Sequence, residues 1–183
     1  MGVLPTLPTD RAHCLLVSGD SLLAGTDSGL FVRDRDGFWR AASPLDGAPV
    51  EAVHSICRAA GRTWLGTATG VYWLEGGSWR RTHPDSGFPF CAVYDFHFDG
   101  QRLWIATSSG IAVYDPDMDS WAFRTLSDGL PSGLVRCLAG DEREIWAGTS
   151  AGLVIYHRVL DSWVSMGTGD GLRSGDVRDI VLR

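Results

Sequence analysis

A Thr-x-x-Gly motif recurs four times along the chain at nearly constant spacing. The threonines lie 41, 40 and 42 residues apart, in the pairs Thr26/Gly29, Thr67/Gly70, Thr107/Gly110 and Thr149/Gly152. A tryptophan follows each motif and keeps the same period, at Trp39, Trp79, Trp121 and Trp163. A period of about forty residues in a strand-rich sequence is typical of one blade of a β-propeller. This repeat therefore constrains the fold more than any other feature of the sequence.

Each copy of the repeat contains four short segments with the pattern of strands. Aligned on its threonine, the first copy reads AHCLLVS, SLLAGT, LFVRD and FWRAA, and the other copies follow the same order. Apolar residues recur at alternate positions, and turns rich in Gly and Asp separate the segments, as in antiparallel hairpins. No segment keeps a helical period. The sequence predicts an all-β fold of β-propeller blades, each made of four antiparallel strands.

The predicted blades form a single array over residues 1–183. Their approximate bounds are 12–45, 53–85, 93–127 and 135–168. Residues 176–183 align with the first strand of a fifth copy. We therefore expect four complete blades plus one strand, as a segment of a larger propeller rather than a closed four-bladed ring. The exposed strand edges of such a segment also predict self-association.

The third copy carries a family resemblance. It reads RLWIATSSGIAVYDPDMDSWAFRTLSDGLPSGLVRCL and resembles the two-component regulator propeller repeat. The resemblance covers residues 12–183, and the first copy departs most, with Leu23 in place of a Trp. It implies a large propeller in the extracytoplasmic sensor region of a bacterial signalling protein. A ligand, together with a neighbouring signalling domain or further blades, would then be its partners.

The motifs favour recognition over catalysis. The chain has no GxSxG, no HExxH and no glycine-rich phosphate loop. We interpret it as a non-enzymatic propeller that binds a small molecule, a glycan or a peptide, without a cofactor. Two alternatives stay open. One is a propeller-type lyase or hydrolase with its site at the mouth of the central channel, and the other is a scaffold for protein–protein contacts.

One column of polar residues differs between copies that are otherwise alike. The second residue of each first strand is His13, His54, Tyr94 or Arg136, and Arg178 takes the matching place near the C-terminus. The innermost strands of a propeller flank its central channel. These four residues, without Arg178, are the candidate ligand-binding residues. His13 and His54 lie in adjacent blades, but only Asp95 and His97 offer a third ligand, so we expect no metal site.

Other repeated residues have structural explanations. The connections between blades carry aspartates that are expected to cap their own turns: Asp46, Asp85, Asp128 and Asp170. The tryptophans that follow the Thr-x-x-Gly motifs fit packing between blades better than stacking on sugars. Trp73 lies outside that column and is the aromatic residue expected to be most exposed. The cysteines form no CxxC and are expected to be buried thiols: Cys14, Cys57, Cys91 and Cys137.

Charge and composition exclude several partners. The formal net charge is −6, and all 16 basic residues are arginine. Nucleic acid requires a basic footprint, so nucleic-acid binding is not expected. No apolar run is long enough for a transmembrane segment, and the first residues, MGVLPTLPTDRAH, lack the pattern of a signal peptide. The compartment is therefore undetermined, and it is extracytoplasmic if the chain belongs to a sensor of the family type.

Overall fold

A computed structural model describes residues 6–7, 11–42, 47–82 and 87–182 of the chain. These residues form sixteen strands in four antiparallel sheets, and two short 3-10 turns. The chain divides into two compact units, Met1–Thr82 and His83–Arg183, each with two of the sheets. The prediction of an all-β fold built from four-stranded antiparallel propeller blades is confirmed.

The first unit contains the sheets of the first two repeats. One sheet consists of β1 (Ala12–Ser18), β2 (Ser21–Thr26), β3 (Gly29–Arg33) and β4 (Trp39–Ala41). The other consists of β5 (Val53–Ala59), β6 (Arg62–Thr67), β7 (Val71–Glu75) and β8 (Ser78–Arg81). Strands neighbour one another in chain order, so each sheet is a meander.

The second unit repeats this arrangement. Its first sheet consists of β9 (Val93–Phe98), β10 (Leu103–Thr107), β11 (Gly110–Asp115) and β12 (Ser120–Arg124). Its second sheet consists of β13 (Val135–Gly140), β14 (Glu144–Thr149), β15 (Gly152–His157) and β16 (Ser162–Met166). The 3-10 turns at Leu126–Asp128 and Thr168–Asp170 each follow the last strand of a sheet.

The Thr-x-x-Gly motif closes the hairpin between the second and third strands of each sheet. The Thr107 hydroxyl donates to the Gly110 carbonyl oxygen at 2.8 Å and accepts from the Ser109 N–H at 3.0 Å. The other three sheets repeat both bonds. Gly110 has a φ of +127° and faces the Arg124 carbonyl oxygen, which a Cβ would strike. The turn thus requires both residues of the motif.

Each unit has its own hydrophobic core between its two sheets. The core of the first unit is formed by Leu23, Leu30, Val53 and Leu65, with Trp79 packed against it. The larger core of the second unit includes Trp104, with Tyr156 and Trp163 packed against it. The Trp column of the repeat therefore serves packing in both units. Trp73 is half-buried, 5.8 Å from Trp64 between ring centroids, rather than the exposed residue expected from its place outside that column.

The aspartates of two connections cap their own turns. Asp128 Oδ2 accepts the Thr125 N–H at 2.8 Å, and Asp170 Oδ2 accepts the Gly167 N–H at 2.8 Å. The matching residues Asp46 and Asp85 lie outside the described residues, as do the last residues of the first two predicted blades.

The four cysteines are free thiols. Cys91 and Cys137 are buried, whereas Cys14 and Cys57 are half-buried. Burial raises the pKa of both the Cys14 and the Cys137 thiols to about 11. These two cysteines occupy the same position in the first strands of their sheets.

Residues 176–182 form no ladder with a described strand. The first strand of a blade pairs only with the second strand of its own sheet, as β13 pairs with β14. Val177 nevertheless contacts the fourth sheet in the same way that Val53 contacts the first sheet. The Cys137 Sγ is 4.0 Å from the Val177 carbonyl oxygen, and the Cys14 Sγ is 3.9 Å from that of Val53. The first strand of a fifth blade, over residues 176–183, stays a prediction.

Candidate functional site

His13 and His54 come together in the first unit, near the starts of β1 and β5. Their ring centroids are 5.4 Å apart in an edge-to-face arrangement. His13 Nε2 also lies 2.6 Å from Oδ1 of Asp27, which belongs to the turn between β2 and β3. Two of the four predicted site residues therefore share one polar cluster with a carboxylate. We call His13, Asp27 and His54 the histidine cluster.

The surroundings of the histidine cluster favour a neutral His54. Burial lowers its pKa because it disfavours the imidazolium, and His13 lowers it further. The carboxylates of Asp27 and Glu51 act in the opposite direction and do not cancel the effect. A neutral imidazole offers one hydrogen-bond donor and one acceptor. The cluster therefore presents a mixed polar surface beside the Asp27 carboxylate.

Glu51 stands next to this cluster in sequence, two residues before β5. Its Oε1 accepts the hydroxyls of Thr67 at 3.0 Å and Thr69 at 2.5 Å, and that of Tyr72 at 3.4 Å. The Arg81 guanidinium donates to the Thr69 hydroxyl at 2.8 Å. These bonds tie Glu51 to the hairpin turn between β6 and β7. Among the described residues, no group of three or more His, Cys, Asp or Glu side chains is arranged to hold a metal ion.

Arg136 is engaged by an ion pair in the second unit. Its Nε donates to Asp176 Oδ1 at 2.8 Å, and Arg178 donates to the other oxygen of the same carboxylate at 2.8 Å. The hydrogen bond from Arg178 lowers the pKa of Asp176. Burial opposes this, and the bond from Arg136 lowers the pKa further. Arg136 thus fastens the C-terminal segment to β13. Tyr94 is half-buried on β9.

Asp95 joins the two sheets of the second unit. Its Oδ2 accepts the Leu138 N–H at 2.9 Å, and its Oδ1 accepts the Phe96 N–H at 2.8 Å. Burial raises its pKa, and these two hydrogen bonds only partly oppose the rise. The carboxylate is therefore committed to backbone donors of both sheets. This role accounts for Asp95 without acid–base chemistry.

The sequence analysis missed a cavity of about 240 Å³ between the two sheets of the second unit. Its lining includes Ala122, which directly follows the repeated tryptophan Trp121. The other copies place Arg40, Arg80 and Val164 at this position. The sequence signal for the cavity was Ala122 itself, because its side chain is small where the other copies have a long or branched one and therefore leaves space.

Comparison with known proteins bears on the fold. No protein-family model and no curated protein sequence matches the chain. The extracellular domain of a protein assigned as a one-component system in B. thetaiotaomicron matches with a TM-score of 0.78 and 20% identity, over 97% of this chain and 25% of that one. The extracellular domain of a protein assigned as a hybrid two-component system in the same organism matches with a TM-score of 0.79 and 20% identity, over 90% of this chain and 24% of that one. The shared fold is the β-propeller.

A third match comes from a protein with a different role. PorZ, a surface component of the type-IX secretion system of Porphyromonas gingivalis, matches with a TM-score of 0.63 and 13% identity, over 91% of this chain and 23% of PorZ. The chain thus spans about a quarter of the length of each of these proteins. Since one fold occurs in proteins with different roles, function has to be argued from the site.

The structural matches agree with the resemblance found in the sequence. The two-component regulator propeller repeat and the extracellular domains from B. thetaiotaomicron share blades of the kind seen in this chain. Across the described residues, no helix combines the length and apolar character needed to cross a membrane.

Proposed function

We propose that the chain is the ligand-recognising part of an extracytoplasmic bacterial sensor. The observation that carries the proposal is the histidine cluster. The turns and cores of the repeat account for its Thr, Gly and Trp residues, but they do not require histidines near the starts of β1 and β5 or an aspartate in the turn after β2. Polar residues that differ between otherwise similar copies of a repeat are candidates for recognition.

The geometry of the cluster suits an uncharged polar ligand. Asp27 fixes the orientation of the His13 ring through the 2.6 Å contact with Nε2. Neutral His54 supplies one donor and one acceptor, and it lies edge-to-face with His13. A hydroxyl group or a peptide amide is small enough to contact both rings at once. A glycan or a peptide is therefore the class of ligand that this cluster would bind.

The sensory role is supported by the likeness to extracellular domains of bacterial one-component and hybrid two-component systems. In such a protein, binding at the propeller would be passed to a neighbouring signalling domain. The partners of the chain are then its ligand and that domain, or further blades of the same propeller.

A binding screen tests the recognition step. The whole chain is titrated calorimetrically with neutral oligosaccharides and short peptides, beside the double variant His13→Gln/His54→Gln. We expect a ligand whose affinity falls at least about tenfold in the double variant, since the hydrogen bonds of both imidazoles to the ligand are lost. The matched control is His157→Gln, because His157 belongs to the other unit, where its Nδ1 lies 2.9 Å from Glu144 Oε1. Equal affinity of the double variant and the wild type would refute the site.

A second experiment tests the sensory step. The double variant is introduced into the gene of the source bacterium, and ligand-dependent transcription is compared with that of the wild type. We expect the response to the ligand to disappear while basal transcription is kept. An unchanged response in a strain whose purified variant no longer binds would reject the sensory role and leave the binding site intact.

A further inference from the structure

The cavity of about 240 Å³ in the second unit combines aromatic walls with charged groups. Three rings line it, with centroid separations of 4.8 Å for Tyr156–Trp163, 5.3 Å for Trp104–Tyr156 and 6.3 Å for Trp104–Trp163. Two guanidinium groups and one carboxylate complete the polar lining, from Arg102, Arg124 and Asp161. We call this space the aromatic cavity. Pockets that bind small molecules commonly combine aromatic walls with a small number of polar groups that fix the orientation of the ligand.

The aromatic cavity exists because Ala122 is small. Ala122 lies opposite Val113 in the ladder between β11 and β12, and both residues line the space. In the first sheet, the equivalent Arg40 reaches Asp34 at 3.2 Å. A second cavity of about 200 Å³ shares Arg102, Val113 and Ala122 and continues the groove toward Met118. The third copy of the repeat therefore has a short side chain at the position where the first two copies have an arginine.

The aromatic rings are held in place before any ligand binds. The Tyr156 hydroxyl donates to Asp161 Oδ1 at 2.8 Å, and Asp161 itself adopts a left-handed backbone conformation with a φ of +47°. The Trp104 Nε1 donates to Asp99 Oδ2 at 2.8 Å, and Asp99 pairs with Arg158 at 3.2 Å. Since the side chains are already ordered, binding loses little conformational entropy.

Within the aromatic cavity, Arg124 is the group positioned to receive an anion. Arg102 Nε is occupied by Asp115 Oδ2 at 3.3 Å, and Asp161 is occupied by the Tyr156 hydroxyl. Arg124 is exposed, and among the described residues it makes no ion pair within 4.0 Å, its Nη1 lying 3.4 Å from the Phe123 carbonyl oxygen. A guanidinium beside aromatic faces matches a carboxylate attached to a planar ring, through a forked hydrogen bond and ring stacking.

We propose that the aromatic cavity binds a small aromatic carboxylate, with the ring against Tyr156 and Trp163 and the carboxylate on Arg124. A neutral sugar would leave the guanidinium unused. The proposal goes beyond the function proposed above, because the histidine cluster belongs to the other unit and contributes no residue to this cavity.

The test titrates the whole chain with 4-hydroxybenzoate and, as the uncharged counterpart, 4-hydroxybenzamide. Isothermal calorimetry gives the affinity, and saturation-transfer NMR shows which ligand protons touch the protein. We expect 4-hydroxybenzoate to bind with a Kd of about 1 mM or tighter, as ten heavy atoms in a small pocket allow. The amide should bind at least about tenfold more weakly, because it lacks the charge-assisted hydrogen bond.

Two pairs of variants locate the site. Ala122→Arg restores the side chain that the first two copies carry and should abolish binding, whereas Val164→Arg places the same residue at the matching exposed position of the fourth sheet and should leave binding unchanged. Arg124→Gln should weaken binding at least about tenfold, whereas Arg143→Gln, which removes an exposed arginine elsewhere in the unit, should not. All four positions are solvent-exposed, so the variants should fold.

Three outcomes would overturn the proposal. The first is no detectable binding of 4-hydroxybenzoate at millimolar concentration. The second is equal affinity for the amide, which would deny a role to Arg124. The third is binding that survives Ala122→Arg, which would place the ligand elsewhere. None of these outcomes bears on the histidine cluster, whose own test uses different ligands and different variants.

Discussion

Val177 packs onto Gly148 so closely that a Cβ on the glycine would lie 2.8 Å from the valine Cγ1. Gly25 meets Val53 in the same way, with a corresponding distance of 2.7 Å. In each unit, a glycine in the second strand of a sheet thus contacts a valine that lies 28 or 29 residues further along the chain. This contact joins successive copies of the repeat within a unit, and any larger residue at the glycine would push the two apart.

Gly25→Ala should destabilise the chain by about 1–3 kcal/mol, the usual cost of overpacking. The added Cβ would meet the Cys14 sulfur and the Val53 carbonyl oxygen as well as the valine side chain, and a backbone oxygen cannot simply rotate away. Urea unfolding followed by tryptophan fluorescence measures the change. Gly169→Ala is the control, because a Cβ there meets nothing within 4 Å and should change stability by less than about 0.5 kcal/mol. Equal stabilities of the two variants would contradict the packing argument.

His54 should make the chain less stable in mild acid. Burial is the main cause that lowers the pKa of His54 in the folded chain, and the neighbouring His13 lowers it further. Below about pH 6.5 the unfolded chain therefore binds a proton at His54 more readily than the folded chain does. The contribution of neutral His54 to the free energy of unfolding is therefore fully present above that pH and is lost as the pH falls. We expect the wild type to lose more stability between pH 7 and pH 5 than His54→Gln does, measured by urea unfolding at each pH. Parallel pH dependences of the two proteins would count against a buried, neutral His54.

Much of the fold was predictable because the repeat fixes it. Strand positions followed from alternating apolar residues, and the observed strands begin and end within a residue or two of the predicted segments. The function of the repeated threonine was not predicted. Its hydroxyl donates to one backbone group and accepts from another inside the turn, as Thr107 does, and no periodicity reveals such a bond.

The candidate site was predictable only in part. Adjacent repeats suggested that His13 and His54 would approach each other, and their rings do so. Asp27 was not predicted as part of the site because it lies in a turn, where the alternation of apolar residues gives no information. It follows Thr26, which pairs with Ala12 of β1, and this places Asp27 beside that strand. Arg136 and Asp176 are 40 residues apart, which is about the length of one repeat. The spacing of the repeat alone does not show that the two residues form an ion pair. The cavity beside Ala122 was not predicted because it results from a short side chain, and sequence motifs are recognised from the groups that are present.

Cys14 and Cys137 should react slowly with alkylating reagents in the folded chain. Their pKa is about 11 because of burial, so at pH 8 the thiolate fraction is roughly two hundredfold smaller than for an ordinary cysteine with a pKa of about 8.5. Iodoacetamide labelling followed by peptide mass spectrometry gives the rate at each cysteine. Labelling in urea supplies the unfolded reference. Rates within a few-fold of that reference at Cys14 or Cys137 would disprove the burial.

Asp95 provides a test of how the two sheets of the second unit are joined. Asp95→Ala removes the acceptor of the Leu138 N–H and should cost about 1–3 kcal/mol, because a buried donor is left unpaired. Asp95→Asn keeps one acceptor oxygen and should cost less. Burial raises the pKa of the native carboxyl, so its contribution is fully present below the unfolded value of about 4 and is lost as the pH rises through the folded value.

The advantage of wild-type Asp95 over Asp95→Asn should therefore be larger at pH 4 than at pH 7. Urea unfolding of both proteins at the two pH values measures this difference in stability. The other carboxylates are present in both proteins, so their titration contributes equally and cancels in the difference. If the advantage instead grows with pH, the ionised carboxylate is favoured in the folded chain. Its two hydrogen bonds to backbone N–H groups would then outweigh the cost of burying the charge.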